Sequence, residues 1–238
     1  MKDLEKAMLE EQAYIRDKFN HIDTSLLERL SAYGYSTLQE YFAEKQDYEF
    51  SQIKFNFVEE PMPNGVAEIF KMISTNEPGV LFVDWEDTYV VCGNTGLEEF
   101  NKQYCDEHNI TFFPLHTNGG TIVGSVGDFS FGVCCPKNMS YDSRYVLNNV
   151  AAILQRHTDA KISVEGNDIT KDGKKICGSA TYEGKDVFMV IMHFSFTDWS
   201  ELIENICTTS KISKEVAFVD FVSREQFKDE VRVWLQKY

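Results

Sequence analysis

The stretch GNDITKDGKKICGSATYEGKDVFMVIMHFSF, residues 166–196, decides how the chain folds. Asp172-Gly173 is a strong two-residue hairpin signal, since both central positions of such a turn need positive φ. The segments on either side, NDIT (167–170) and KICGSATY (175–182), read as strands, and DVFMVIMHFSF (186–196) continues as a third. Strands joined by turns this short must run antiparallel. Side chains alternate along a strand, so Lys174 is expected to face solvent and Lys175 the opposite side. Gly178, Ser179 and Ala180 leave room beside that side for something flat or slender.

The same pattern extends outward. GVLFVDW (79–85) and TYVVCG (88–93) look like two paired strands, ITFFPL (110–115) and FSFGVCC (129–135) like further strands, and AKISV (160–164) like another. Ile53, Phe55 and Phe57 alternate as in a half-buried strand, and EPMPNG (60–65) is a turn. Helical spacing marks VAEIFKMIS (66–74), GLEEFNKQYCDEHN (96–109), SRYVLNNVAAILQRH (143–157), DWSELIENIC (198–207) and SREQFKDEVRVWLQKY (223–238). In the second of these Leu97, Phe100 and Tyr104 share a face, with Asn94 or Thr95 as the cap; in the third Val146, Leu147, Val150, Ala151 and Leu154 do. Residues 1–46 look helical, with Leu26, Leu27, Leu30 and Tyr33 in register and Gly34 as a stop. The expected fold class is α+β, with packed helices on a mixed, mostly antiparallel sheet and no regular βαβ repeat. The expected organisation is an N-terminal helical extension over 1–60 and one catalytic domain over 61–238, with no C-terminal accessory domain.

Composition narrows the function. The chain has 238 residues and a formal net charge of −15. An acidic surface repels phosphate backbones and anionic lipid, which argues against nucleic acid and membrane partners. No apolar run approaches the roughly 20 residues of a membrane span. The N-terminus lacks the apolar core of an export signal, and the six cysteines form no CxxC pair. A reduced, cytoplasmic protein is expected, its cysteines serving as core packing.

Two segments carry chemistry. In HTNGGTIVGSVGD (116–128) adjacent glycines expose successive backbone N–H groups, which can hold phosphate or carboxylate oxygens. In the hairpin, Lys175 is a positive charge facing a shallow slot, placed to hold a phosphate and polarise an acyl carbonyl. Asp168, across the turn, is a candidate to hold Mg²⁺ or to restrain the lysine. His193, at a strand end, is a candidate to line the slot.

In order along the chain these pieces resemble the catalytic domain of the lipoate–protein ligase family, within the biotin/lipoate ligase superfamily. The resemblance runs from about residue 80 to the C-terminus. It rests on VLFVDWEDTYVVCG, EEFNKQYCDEHNI with its Glu99 and Asn101, the glycine loop, and above all Asn-Asp followed by Lys-x-x-Gly-Ser-Ala. It implies transfer of a lipoyl- or octanoyl-type acyl group to a lysine of a lipoyl-type carrier, such as a glycine cleavage H protein or a dehydrogenase lipoyl domain. In ligases of this family Mg-ATP first activates lipoate or octanoate as an acyl-adenylate. Lys175 stands at the position of the essential lysine. Asn167 and Asp168 match nucleotide and metal positions, and Asn118, Gly119, Gly120 and Thr121 match the loop around the adenylate. Gly178, Ser179, Ala180 and His193 match pocket residues.

The departures are specific. Pro114 and Leu115 replace the arginine pair that precedes the loop, Asn118 replaces its first glycine, and Gly124 and Ser125 replace a His-Asp pair. Losing an arginine removes a bidentate, permanently charged contact to a phosphate. A transferase taking a preactivated acyl group needs no ATP, a second, accessory subunit is a candidate source of the missing arginines, and an inactive ligase-like protein that binds an acylated carrier, a small acid or a partner is the alternative to an enzyme.

Overall fold

The computed structural model describes residues 37–93, 96, 100–114, 121–137, 139–207 and 216–236. The chain divides into two compact units, Met1–Asp47 and Tyr48–Tyr238. The first helix, α1 (Leu38–Ser51), opens on a reciprocal cap: Glu40 N donates to Thr37 Oγ1 at 3.1 Å, and Thr37 N donates to Glu40 Oε2 at 3.3 Å. The helical signals read over 1–36, including Leu26, Leu27, Leu30 and Tyr33, lie outside the described residues.

The second unit is built on a seven-stranded sheet. Its strands are β1 (Asn56–Pro61), β2 (Gly79–Asp84), β6 (Phe129–Pro136), β7 (Ile162–Glu165), β8 (Asp168–Lys171), β9 (Lys174–Glu183) and β10 (Val187–Phe194), in the order β1-β2-β6-β10-β9-β8-β7. Only the β1–β2 pair is parallel within it. A second sheet holds β4 (Thr111–Pro114), β3 (Tyr89–Cys92) and β5 (Thr121–Gly124), in that order.

The near-continuous apolar runs of β2, β6 and β10 follow from burial on both faces. On one face Val80, Phe82, Phe129, Phe131, Val190, Met192 and Phe194 join the largest core cluster, with residues of α4 (Ser143–Gln155) and α6 (Arg224–Gln236). On the other face Leu81, Val83, Cys134, Val187 and Met189 pack against α2 (Asn64–Thr75) and the second sheet. The outer side of the second sheet is closed by α3 (Lys102–Glu107) and α5 (Ser200–Ile206), through Val90, Cys92, Cys105 and Ile206. The second unit is thus an α+β stack: helices, large sheet, small sheet, helices.

Three local expectations are corrected. β2 and β3 do not pair with each other, because β1 and β6 already occupy both edges of β2, so β3 starts the second sheet. The helix read over 96–109 begins at Lys102, capped by Asn101 Oδ1 accepting from Tyr104 N at 3.1 Å; Phe100 instead bridges to Cys207, while Asn94, Thr95, Leu97 and Glu99 lie outside the described residues. Ile53 and Phe55 precede β1 and pack on the large core rather than forming strand.

Candidate functional site

The β8–β9 hairpin turns where expected, with Asp172 at φ 50° and Gly173 at φ 81°. Just beyond it the ladder slips. Thr170 pairs with Lys175 and Ile169 with Cys177, so Ile176 is one extra residue on β9. In an even strand residues three apart face opposite ways. The bulge puts Lys175 and Gly178 on one face, with Ile176 and Cys177 both buried in the main core. Lys175 then lies flat over Gly178. A Cβ built there would meet Lys175 Nζ at 3.0 Å and Cε at 3.1 Å.

Asp168 pairs with Gly178 across β8 and β9, which puts its carboxylate on the same face. Its Oδ1 is 2.9 Å from Lys175 Nζ. His193 pairs with Gly178 from the other side, and Ala180 pairs with Ile191. These residues look toward the second sheet, where Ile122, Phe113, Ile191 and Tyr182 are half-buried along the seam. The structure therefore gathers Lys175, Asp168, Gly178, Ala180 and His193.

Other candidates sit differently. Ser179 pairs with Met192, which belongs to the helix-covered core, so it falls on the opposite face from Gly178 and Ala180. Its N and Oγ donate to Asn167 O, at 2.9 and 2.7 Å, and tie the start of β8 to β9. Thr121 opens β5, and its Oγ1 donates to Gly96 O at 3.1 Å. Pro114 ends β4, exposed and opposite Cys92. Asn118, Gly119, Gly120 and Leu115 lie outside the described residues.

A buried polar chain below His193 escaped the sequence reading. Trp85 Nε1 donates to Ser130 Oγ at 2.9 Å, and Ser130 Oγ is 2.9 Å from His193 Nδ1. The indole and imidazole centroids are 4.7 Å apart. Gly124 is required beneath them, since a Cβ there would stand 2.6 Å from the indole and 2.7 Å from His193 Cε1. Burial, reinforced by the Lys175 charge, pushes His193 down to about 3, so the ring is neutral.

Asp128, fully buried, lies beside it. Its Oδ2 accepts from Ser125 N at 3.0 Å, and its Oδ1 accepts from Phe196 N and Trp199 Nε1 at 3.2 and 3.0 Å. Burial outweighs these bonds and raises its carboxyl to about 6. Asp128 Oδ2 and His193 Nε2 are 3.7 Å apart, too far for a hydrogen bond, and a neutral ring makes no ion pair. The signal for these residues was the alternation in DFSF: Asp128, just before β6, and Ser130, within it, are buried polar residues interleaved with Phe129 and Phe131.

Cys177, Cys134 and Cys135 are not set up as nucleophiles. Cys177 is buried, its Sγ donates to Gly178 O at 3.4 Å, and burial pushes its thiol far up. Burial likewise raises Cys134 to about 11, and Cys135 well above its ordinary value. Among the described residues no group of three or more His, Cys, Asp or Glu is placed to hold a metal ion, and no helix is long and apolar enough to cross a membrane.

Comparisons with known proteins bear on the fold and the family. No curated protein sequence matches significantly. LipL1 of P. falciparum, in complex with lipoate, superposes with a TM-score of 0.66 at 16% identity, over 77% of this chain and 62% of that one. The chain thus spans less than two thirds of that protein. A bi-partite lipoate protein ligase of Thermoplasma acidophilum, solved in a study of that ligase and its E2 lipoyl domain, gives 0.65 at 19% identity, over 78% and 84%. A lipoate-protein ligase A bound with ATP gives 0.64 at 18%, over 78% and 85%. At such identities the likeness establishes the fold. The family model of the lipoyl protein ligase A/B catalytic domain matches residues 67–224, two thirds of the sequence and every residue gathered around Lys175, and the chain belongs to that family.

Proposed function

We propose that the protein transfers a lipoyl- or octanoyl-type acyl group to a lysine of a lipoyl-type carrier domain. The observation that carries this reading is Lys175 lying over Gly178, paired with Asp168, at the mouth of an apolar seam. An acyl tail would lie along Ala180, Ile191 and Ile122, with its carboxyl group at the lysine. There the ammonium would stabilise the charge that develops on the acyl oxygen as the carrier amine attacks and the leaving group departs.

With free acid, the carboxylate would attack the α-phosphate of ATP, release pyrophosphate and form the acyl-adenylate; the carrier amine would then displace AMP. Asp168 offers one carboxylate, which suits Mg²⁺ when the nucleotide's phosphates and water supply the other ligands, and the ion would neutralise phosphate charge. Asn167, beside it, and the loop 118–121 are the proposed nucleotide contacts.

Pro114 supports a narrower second version. It stands where the family pattern has a cation, and an uncharged ring cannot clamp a phosphate. In that version the protein takes a preformed adenylate or a carrier thioester as donor.

Intact mass spectrometry of a lipoyl domain after incubation with the protein tests both. Separate reactions contain lipoate or octanoate with Mg-ATP, preformed lipoyl-adenylate, or octanoyl-carrier thioester. A mass shift with free acid and ATP makes the protein a complete ligase. A shift only with activated donors makes it a transferase. No shift in any reaction, with folded protein, refutes the enzyme reading and leaves a binding protein on a ligase scaffold.

A further inference from the structure

The surroundings of the His193 ring are sorted by hydrogen-bonding sense. On the Nδ1 side stands Ser130 Oγ at 2.9 Å, and the other partner of that hydroxyl is Trp85 Nε1 at 2.9 Å. An indole N–H can only donate. Ser130 Oγ therefore accepts from Trp85, and its own proton has His193 Nδ1 as acceptor. On the Nε2 side stands Asp128 Oδ2 at 3.7 Å. A bare lone pair on Nε2 would face that oxygen. Among the described residues Nε2 has no hydrogen-bond partner of its own, and the residue is 8% exposed. A proton on Nε2 turns a repulsive contact into an attractive one, and a proton on Nδ1 would orphan the Ser130 hydroxyl.

We propose that Trp85 and Ser130 are positioning residues that lock neutral His193 in its Nε2–H tautomer. The reading of its neighbourhood as an acyl site is the one proposed above, and the consequence for that site is definite. Neither ring nitrogen is open to take a proton: the Nδ1 lone pair is occupied by Ser130, and Nε2 already carries hydrogen. His193 is then a fixed, uncharged wall beside Lys175 rather than the base that deprotonates an incoming amine. The lysine faces an uncharged ring rather than a second cation, and the carrier amine must lose its proton to another group.

The test uses ¹⁵N-labelled full-length protein near neutral pH and long-range ¹H–¹⁵N correlation of the imidazoles, with His193→Gln identifying the signal among the five histidines. Expected for wild type is a single tautomer, protonated at Nε2 and unprotonated at Nδ1. Ser130→Ala should lose that pattern in favour of a mixture or the Nδ1–H form, and Ser130→Thr, which restores the hydroxyl, should recover it. Should Ser130→Ala fail to fold, Trp85→Phe frees the hydroxyl to rotate and should blur the tautomer in the same way. A wild-type ring that is cationic or protonated at Nδ1 overturns the inference, as does an unchanged tautomer in Ser130→Ala or Trp85→Phe. Octanoate separates it from the acyl reading: a locked tautomer whose ring signals ignore octanoate keeps the lock and counts against an acyl site there.

Discussion

The Lys175 ammonium lies 3.0 Å from the point a Cβ on Gly178 would occupy, so the hydrogen of that glycine is the bed on which the lysine rests. Gly178→Ala should therefore leave the fold nearly intact, since only the far end of a flexible side chain must yield. It should shift the Lys175 ammonium relative to Asp168 by a fraction of an ångström. A displacement of about 1 Å costs on the order of 10²-fold in a positioned reaction, so this smaller shift should cost several-fold. We expect acyl transfer to fall by that much with an unchanged melting temperature, and Lys175→Ala to abolish it. Transfer at the wild-type rate in Gly178→Ala would show that the resting position of the lysine does not matter.

Asp168 has two proposed jobs, and Asp168→Asn separates them. If the carboxylate serves the metal-nucleotide, transfer from free acid with Mg-ATP should be lost, while transfer from preformed acyl-adenylate stays within roughly tenfold of wild type, the equivalent of about 1.4 kcal/mol. Equal losses with both donors would assign Asp168 to holding Lys175 alone.

Asp128 and His193 should give opposing pH slopes of stability. The Asp128 carboxyl is raised from 3.8 to about 6, so the fold favours its protonated form. Its contribution is full below pH 3.8 and is lost as pH rises through 6, about 3 kcal/mol at 1.36 kcal/mol per unit. His193 is lowered from 6.5 to about 3, so its contribution is full above 6.5 and is lost as pH falls toward 3. Between pH 4 and 6 the two offset each other. Urea midpoints measured against wild type should show Asp128→Asn gaining stability with rising pH over that window and His193→Gln losing it. Parallel curves for the two variants would contradict the assignment.

Lys228 is 4% exposed, with Nζ 3.1 Å from Asp84 Oδ2 and 3.2 Å from Glu59 Oε2, and it lies 5.8 and 5.6 Å from the ring centres of Phe82 and Phe129. Both carboxylates keep arginine neighbours, Arg224 and Arg232. Lys228→Met retains the stem over the rings and should cost only about 1 kcal/mol; Lys228→Ala loses the stem as well and should cost roughly 3 kcal/mol. For a chain of this size that separates the two melting temperatures by about 4–8 °C. Equal melting temperatures would place the whole effect in the charge.

Much of the fold was legible because hydropathy and turn chemistry agreed. Asp172-Gly173 named its turn, and Val146, Leu147, Val150, Ala151 and Leu154 named the buried face of α4. Lys175 and Asp168 were found as a pair because the turn brings them together. The split of β2 and β3 between two sheets was not legible: a strand pattern reports that an edge will be filled and not by which strand, and β1, whose Asn56 pairs with Gly79, took the edge of β2. The misplaced helix start had a local cause, since Asn101 competes as a cap with Asn94 and Thr95. Ser179 was assigned to the slot as one of three consecutive small residues and by resemblance to pocket residues; its pairing with Met192 on β10 puts it on the far side. Ser130, Asp128 and Trp85 were passed over because a polar group within or beside an apolar strand declares only that it has a partner, and these partners lie 63, 71 and 45 positions away along the chain.

The extra residue at Ile176 acts as a phase shifter. It lets a spacing of three place two side chains on one face, which a regular strand does with a spacing of two. Deleting Ile176 would restore the regular ladder and keep Lys175 on the face of Gly178, at the loss of one core side chain. Straightening the bulge with every residue kept would instead invert Lys175 and everything between it and the turn relative to Gly178, and drive the ammonium toward the helix-covered interior. In relatives, the spacing between the lysine and the glycine of this strand can thus differ by one residue without a change of chemistry, provided that a bulge appears or disappears with it.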